Sequence, residues 1–159
     1  MNQRTAALAD RLEQCAFELV SYVEGLTPQQ WNATVPQEER SVGVLVHHVA
    51  TMYPLETQLA QAIASGQAVT GVTWGVVADI NAQHASEHAQ PDRQATLAML
   101  RHNCAEAANA VRAMTDAQLD KAVPISLYGD APLTLQFWLE DHQVTHSYRH
   151  LANIKAATA

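Results

Sequence analysis

The stretch Trp138-Leu139-Glu140-Asp141-His142-Gln143-Val144-Thr145-His146-Ser147-Tyr148-Arg149-His150-Leu151-Ala152-Asn153-Ile154 contains no Gly or Pro and reads as one helix. Its three histidines, His142, His146 and His150, recur every fourth residue. An α-helix turns about 100° per residue, so side chains four apart stack on one face. On an unbroken helix Leu135, Leu139, His142, His146, His150 and Asn153 fall within roughly 80° of one another. Phe137, Val144, Tyr148 and Leu151 make a second apolar face, fit for packing or for a dimer contact. The histidine column therefore points into protein. Each buried imidazole would need its own partner, at about 1–3 kcal/mol if left without one. One shared metal ion would satisfy them together. A third imidazole from another helix would complete a site with an open position.

The rest of the chain supplies that helix. Ser41 can cap a long helix running to about Ser65-Gly66, with Val44, Leu45, Met52, Leu55, Leu59 and Ile63 on its apolar face and His48 in the middle of it. His47 lies at the edge, as a second-layer or surface residue. Pro54 removes the hydrogen bond to the carbonyl of Ala50 and predicts a kink. Upstream, residues 3 to 24 carry the stripe Leu8, Leu12, Cys15, Leu19, Tyr22, Val23, closed by Gly25. Thr27-Pro28-Gln29-Gln30 and Thr115-Asp116-Ala117-Gln118 are capping-box signatures of two short helices. Helices are also expected over about Trp74 to Ala89, Pro91-Asp92 to Met114, and from Pro132 or Leu133 onward. Pro36 with the charged run Gln37-Glu38-Glu39-Arg40, residues 66–73 and the segment around Pro124 and Gly129-Asp130 read as loops. The segment from Val23 to Pro36 aligns with that from Val111 to Pro124, Val, Thr, Gln, Val and Pro coinciding. This suggests two pseudo-symmetric halves that each lead through a capped turn into a histidine-bearing helix.

Composition narrows the class. The 159 residues are 48% hydrophobic, with six Gly and six Pro, which favours a helical globular domain over residues 1–159. The net charge of −7 argues against nucleic acid and anionic membrane. No apolar run reaches the ~18 residues of a membrane span, and Met1-Asn2-Gln3-Arg4 opens a polar segment, so the expected location is the cytoplasm. Cys15 and Cys104 sit among alanines and leucines as small buried hydrophobes. The fold expected is all-α, a four-helix bundle with two short connecting helices.

A second pair, His84 and His88, is also four apart and shares a face with Asn81. It reads as ligands, pocket-lining groups or an exposed face, a pocket role for Asn81 or His84 being the better fit.

Ser41-Val42-Gly43-Val44-Leu45-Val46-His47-His48-Val49-Ala50 together with His146-Ser147-Tyr148-Arg149-His150-Leu151-Ala152-Asn153-Ile154 resembles the DinB/YfiT-like superfamily, and within it the branch of mycothiol-dependent maleylpyruvate isomerase. The resemblance implies a metal-binding four-helix bundle, often dimeric, with His48, His146 and His150 as ligands. His142 is left one turn away, since Arg149 and His150 stand where its closing residues would be. His142, Asn81, His84 and Asn153 are then pocket or second-layer residues, and His142, Asn81, His84 or Asp141 would orient a substrate or relay protons. The implied cofactors are a divalent metal (Zn, Ni or Fe) and a low-molecular-weight thiol such as mycothiol, bacillithiol or glutathione, the reaction a thiol-dependent transfer or isomerisation of a small electrophile. Two other readings stand beside it: a non-catalytic metal- or small-ligand-binding stress protein on the same bundle, and a helical interaction module with structural histidines. The expected partners are a small-molecule substrate and a second copy of the chain, with no nucleic acid or membrane.

Overall fold

The computed structural model describes residues 3–159. Met1 and Asn2 of the polar opening segment lie outside the described residues. Helices α1 (Gln3–Glu24), α3 (Val42–Ala64) and α5 (Arg93–Arg112) form a bundle with a composite last helix. That last helix is α7 (Leu135–Trp138), a π-helical turn (Leu139–Val144) and α8 (Thr145–Thr158). Short helices α2 (Pro28–Trp31) and α6 (Asp116–Leu119) lie where the two capping boxes predict them, each closed by a reciprocal Thr–Gln pair. A further helix, α4 (Trp74–Glu87), buries one side chain, His84. Among the described residues no helix is long and apolar enough to cross a membrane.

Two segments expected to be loops are β-hairpins. Strands β1 (Thr34–Val35) and β2 (Arg40–Ser41) pair antiparallel, as do β3 (Ala122–Ile125) and β4 (Ala131–Thr134). Short strands carrying Pro124 and Pro132 escape a reading by periodicity, because two prolines face each other where ladder donors would be. Each hairpin ends on a residue that caps the next helix. Ser41 Oγ accepts from Val44 N–H at 3.3 Å and Thr134 Oγ1 from Phe137 N–H at 3.2 Å. The last helix therefore starts at Leu135, two to three residues later than expected. The repeat seen in the sequence is thus also a structural repeat: long helix, boxed short helix, hairpin, capped histidine helix.

The core joins both halves through Leu12, Leu19, Leu45, Ile63, Leu100, Leu135 and Trp138, all nearly inaccessible. The loop 66–73 is pinned to the second hairpin, Val69 N–H donating to Pro124 O at 3.0 Å and Ser126 N–H to Val69 O at 2.9 Å. Pro54 leaves α3 continuous. The Ala50 carbonyl it orphans accepts instead from Asn103 Nδ2 of α5 at 2.8 Å. The second apolar face of the last helix packs within the chain: Leu151 is buried and Tyr148 donates to Glu18 of α1 at 3.1 Å, while Phe137 stays exposed. Both cysteines are buried and free, and burial pushes the Cys104 thiol up to about 12.

The entry to α3 is tight. Arg93 donates to the carbonyls of Val23 and Leu26 at the end of α1 and lies 5.5 Å over the Trp31 ring. That indole lies against Gly43, where a Cβ would stand 2.7 Å from two ring atoms. Gly43→Ala is expected to cost about 1–3 kcal/mol by overpacking, whereas Gly75→Ala on exposed α4, with 3.7 Å of room, should not destabilise. Urea denaturation of the two variants beside the wild type checks both.

Candidate metal centre and its cavity

His48 rises from the middle of α3, and His146 and His150 from successive turns of α8. One ring nitrogen from each lies within 4.8 Å of the others. The Nε2 atoms of His48 and His146 are 3.2 Å apart. Two nitrogens sharing one tetrahedral zinc at about 2.0–2.1 Å would lie about 3.3 Å apart. His48 and His150 are buried and His146 is half-buried. Burial, then the neighbouring imidazoles, holds His48 far below the ordinary imidazole range, and burial also lowers His150. Both are therefore neutral near pH 7, the form that ligates metal.

Two carboxylates aim the pair on α8. His150 Nδ1–H donates to Glu38 Oε1 at 2.8 Å, and His146 Nδ1 is 3.0 Å from Glu56 Oε1. With Nδ1 engaged, Nε2 of each ring is left as a bare lone pair toward the centre, the usual device for fixing a ligand's tautomer. His48 lacks such a partner: its Nδ1 is buried with nothing to bond. The donor set fits a borderline divalent ion on three imidazoles with further positions open.

Glu38 and Glu56 are missing from the sequence reading. Glu38 belongs to the charged run 37–40 that looked like solvent-exposed loop, yet its side chain is 14% exposed. The turn folds it inward: Glu39 takes a positive φ of 54°, and Glu38 and Glu39 both donate backbone N–H to Val35 O. Asn153 Nδ2 donates to the same Glu38 oxygen at 2.9 Å, and Arg40 Nη2 to its other oxygen at 2.8 Å. The His150 hydrogen bond, then these partners, hold the Glu38 carboxyl well below the usual carboxylate range. Glu56 lies two turns beyond His48 on α3, within the apolar stripe. A lone carboxylate on such a stripe was the signal available.

The centre opens on a cavity of about 460 Å³. Met52, Leu55, Leu59, Val77 and Trp138 give it apolar walls, while Arg40, Asn81, Asp141, Arg149 and Asn153 supply polar groups. A hollow of about 240 Å³ beside Phe17 and Cys104 contains no histidine. His142 lines the main cavity but does not join the triad. The π-helical turn, closed by Thr145 N–H donating to Glu140 O, breaks the expected single column. His142 stacks on Trp138 at 3.9 Å between centroids and lies 3.0 Å from Tyr128 Oη, which in turn donates to Asp141. Burial lowers its pKa, so a neutral ring donates to Tyr128 through Nε2–H.

The remaining predicted residues divide. Asn81 and Asn153 line the cavity; His84 does not. Its ring packs edge-on to His48 at 5.4 Å and its Nε2 is 2.9 Å from His47 Nδ1. Burial, then His47 and His88, lowers His84 to about 4. His47, His84 and His88 form a second group with one ring nitrogen each within 4.8 Å. His47 is half-buried within this second group, which meets the first triad through the His48–His84 ring contact.

The family model of the DinB superfamily matches residues 11–154. Among solved structures, YfiT from Bacillus subtilis, described as a probable metal-dependent hydrolase with an unusual four-helix bundle topology, superposes with a TM-score of 0.78 at 18% identity, covering 99% of this chain and 87% of that one. At that identity the likeness speaks for the fold. A search of curated proteins gave no match.

If the two carboxylates aim the imidazoles, Glu38→Gln and Glu56→Gln should each weaken zinc binding about 10–100-fold while leaving the fold intact. Competition with a chromophoric chelator measures this, and unchanged affinity in both would count against the assignment.

Proposed function

Because the chain belongs to the DinB superfamily, we propose that it is a divalent-metal-dependent enzyme, with His48, His146 and His150 as ligands, that adds a nucleophile to a small electrophile. The observation that carries this reading is the convergence of three imidazoles, two of them aimed by carboxylates, on the wall of a cavity large enough for a small molecule. Held by His48, His146 and His150, a divalent metal would supply Lewis-acid chemistry that lowers the pKa of a thiol or water and so gives a nucleophile at neutral pH.

The chain's own residues do the rest. Glu38 and Glu56 keep the Nδ1 protons of His150 and His146, so Nε2 stays unprotonated. The apolar walls bind the body of the substrate and exclude water. Arg40 has a buried Nη1 without a partner while its other nitrogen holds Glu38. Together with Arg149 on the cavity wall, it suits a substrate bearing a carboxylate. His142 and Tyr128 form a line of hydrogen bonds to Asp141 that can hold or move one proton beside the substrate. The resemblance read in the sequence favours a low-molecular-weight thiol (mycothiol, bacillithiol or glutathione) as co-substrate, in a transfer or isomerisation. Hydrolysis, with water in the thiol's place, is the second reading. It is favoured by the likeness to YfiT and needs no thiol. A binding protein on the same bundle would share the triad but show no turnover.

Elemental mass spectrometry of wild type beside His48→Ala, His150→Ala and His142→Ala tests the ligand set. Metal content is expected to fall by about one ion per chain in the first two and to hold in the third. Loss in all three would mean a closed four-histidine site. Activity is then read on panels of electrophiles with each thiol and on ester and amide panels without one. Turnover that needs both thiol and metal supports transfer, turnover that needs metal alone supports hydrolysis, and none on any panel sinks the enzymatic reading.

A further inference from the structure

We infer that His47, His84 and His88 form a second transition-metal site, distinct from the first triad, whose occupancy fastens α4 to the bundle. The group joins two elements: His47 comes from α3, His84 from the last turns of α4, and His88 from the cap just beyond it. Their rings lie close together, with centroids 4.2 Å apart for His47 and His88, 4.9 Å for His84 and His88, and 5.1 Å for His47 and His84. His47 Nδ1 and His84 Nε2 are 2.9 Å apart, and the other nitrogen of His84 is buried without a partner. Three imidazoles with no carboxylate ligand suit Zn²⁺, Ni²⁺ or Cu²⁺ and not the oxygen-seeking Mg²⁺ or Ca²⁺.

The packing of α4 gives the site its consequence. His84 is this helix's one buried residue, while Trp74, Val76 and Ile80 are 58%, 39% and 38% exposed. Burial of apolar surface therefore does little to hold α4 in place, and the imidazole cluster is what ties its C-terminal half to α3. Yet α4 contributes Val76, Val77, Ile80 and Asn81 to the cavity wall. An ion at the second site would fix that wall. Its affinity should be the lower of the two. No carboxylate is hydrogen-bonded to His47, His84 or His88 among the described contacts, in contrast to Glu38 and Glu56. A cation in the neighbouring triad would also repel it.

The site requires no catalysis, so it can be tested independently of the proposed reaction. Wild type, His88→Ala, His88→Gln, His150→Ala and the double variant His88→Ala/His150→Ala are dialysed against buffered free Zn²⁺ and the bound metal counted. About two equivalents in wild type, about one in each His88 variant and in His150→Ala, and none in the double variant is the expected result. Amide hydrogen exchange across residues 74–87 should slow on adding Zn²⁺ to His150→Ala and not to His88→Ala/His150→Ala. The inference is overturned if the His88 variants bind as much zinc as wild type, or if zinc leaves α4 exchange unchanged in His150→Ala. Zinc lost only with His150→Ala would uphold the first triad and remove the second; zinc lost only with the His88 variants would do the reverse.

Discussion

The site depends on one carboxylate. Glu38 Oε1 accepts from His150 at 2.8 Å and Asn153 at 2.9 Å, and Oε2 from Arg40 at 2.8 Å. This single group ties the first hairpin to α8 and fixes both the rotation and the tautomer of a buried imidazole. A charge so enclosed is tolerated only when its lone pairs are filled, and here they are filled by the residues that need positioning. Glu56 repeats the device for His146 from α3. The two rings on one helix are thus each held by a carboxylate from a different element, while His48 has no such carboxylate and is held by burial and by the neighbouring imidazoles.

The hairpins make this possible. Each follows a Thr–Gln capping box and ends on the cap of a histidine-bearing helix, so box, turn and cap form a rigid lead-in. Each also delivers a side chain to the cavity. The first turn delivers Glu38 and Arg40. The second delivers Leu127 to the cavity, and its Tyr128, just before the left-handed pair Gly129 and Asp130, bonds the cavity residues His142 and Asp141 from behind. The repeat along the chain therefore brings two histidine helices face to face and places a polar group from each hairpin between them.

Much of this was legible in the sequence. Helical periodicity and capping chemistry are local, so α1, α3, α5, the two boxed turns and the facing of His48 towards the histidine column of the last helix could be read from spacing, while the choice of His146 and His150 over His142 came from the family resemblance. Three things could not. The hairpins are too short and too rich in proline for alternation to show. Glu38 and Glu56 act across the fold, and a carboxylate in a charged loop looks the same whether it faces water or a histidine. For α4, the face shared by Trp74, Val77, Asn81, His84 and His88 was plain, but how little of it would be buried was not, because that depends on what the neighbouring helix offers.

The departure of His142 has a local cause with a wide effect. Continued α-helix from Leu135 would stack His142 below His146 and offer the centre a fourth imidazole. The π-helical turn inserts a wider turn at 139–144 and sends His142 onto Trp138 instead. It also changes the local hydrogen bonding. Thr145 Oγ1 must cover the Glu140 carbonyl at 2.5 Å, and Gln143, fully buried, bonds Thr57 through Nε2 but leaves Oε1 without a partner. Such turns interrupt helices mostly where function benefits. Under the proposed function the turn would set the coordination number: three imidazoles would leave room for a substrate atom, while a fourth would fill the site. The residue moved aside becomes a hydrogen-bond donor on the cavity wall, next to where that substrate would lie.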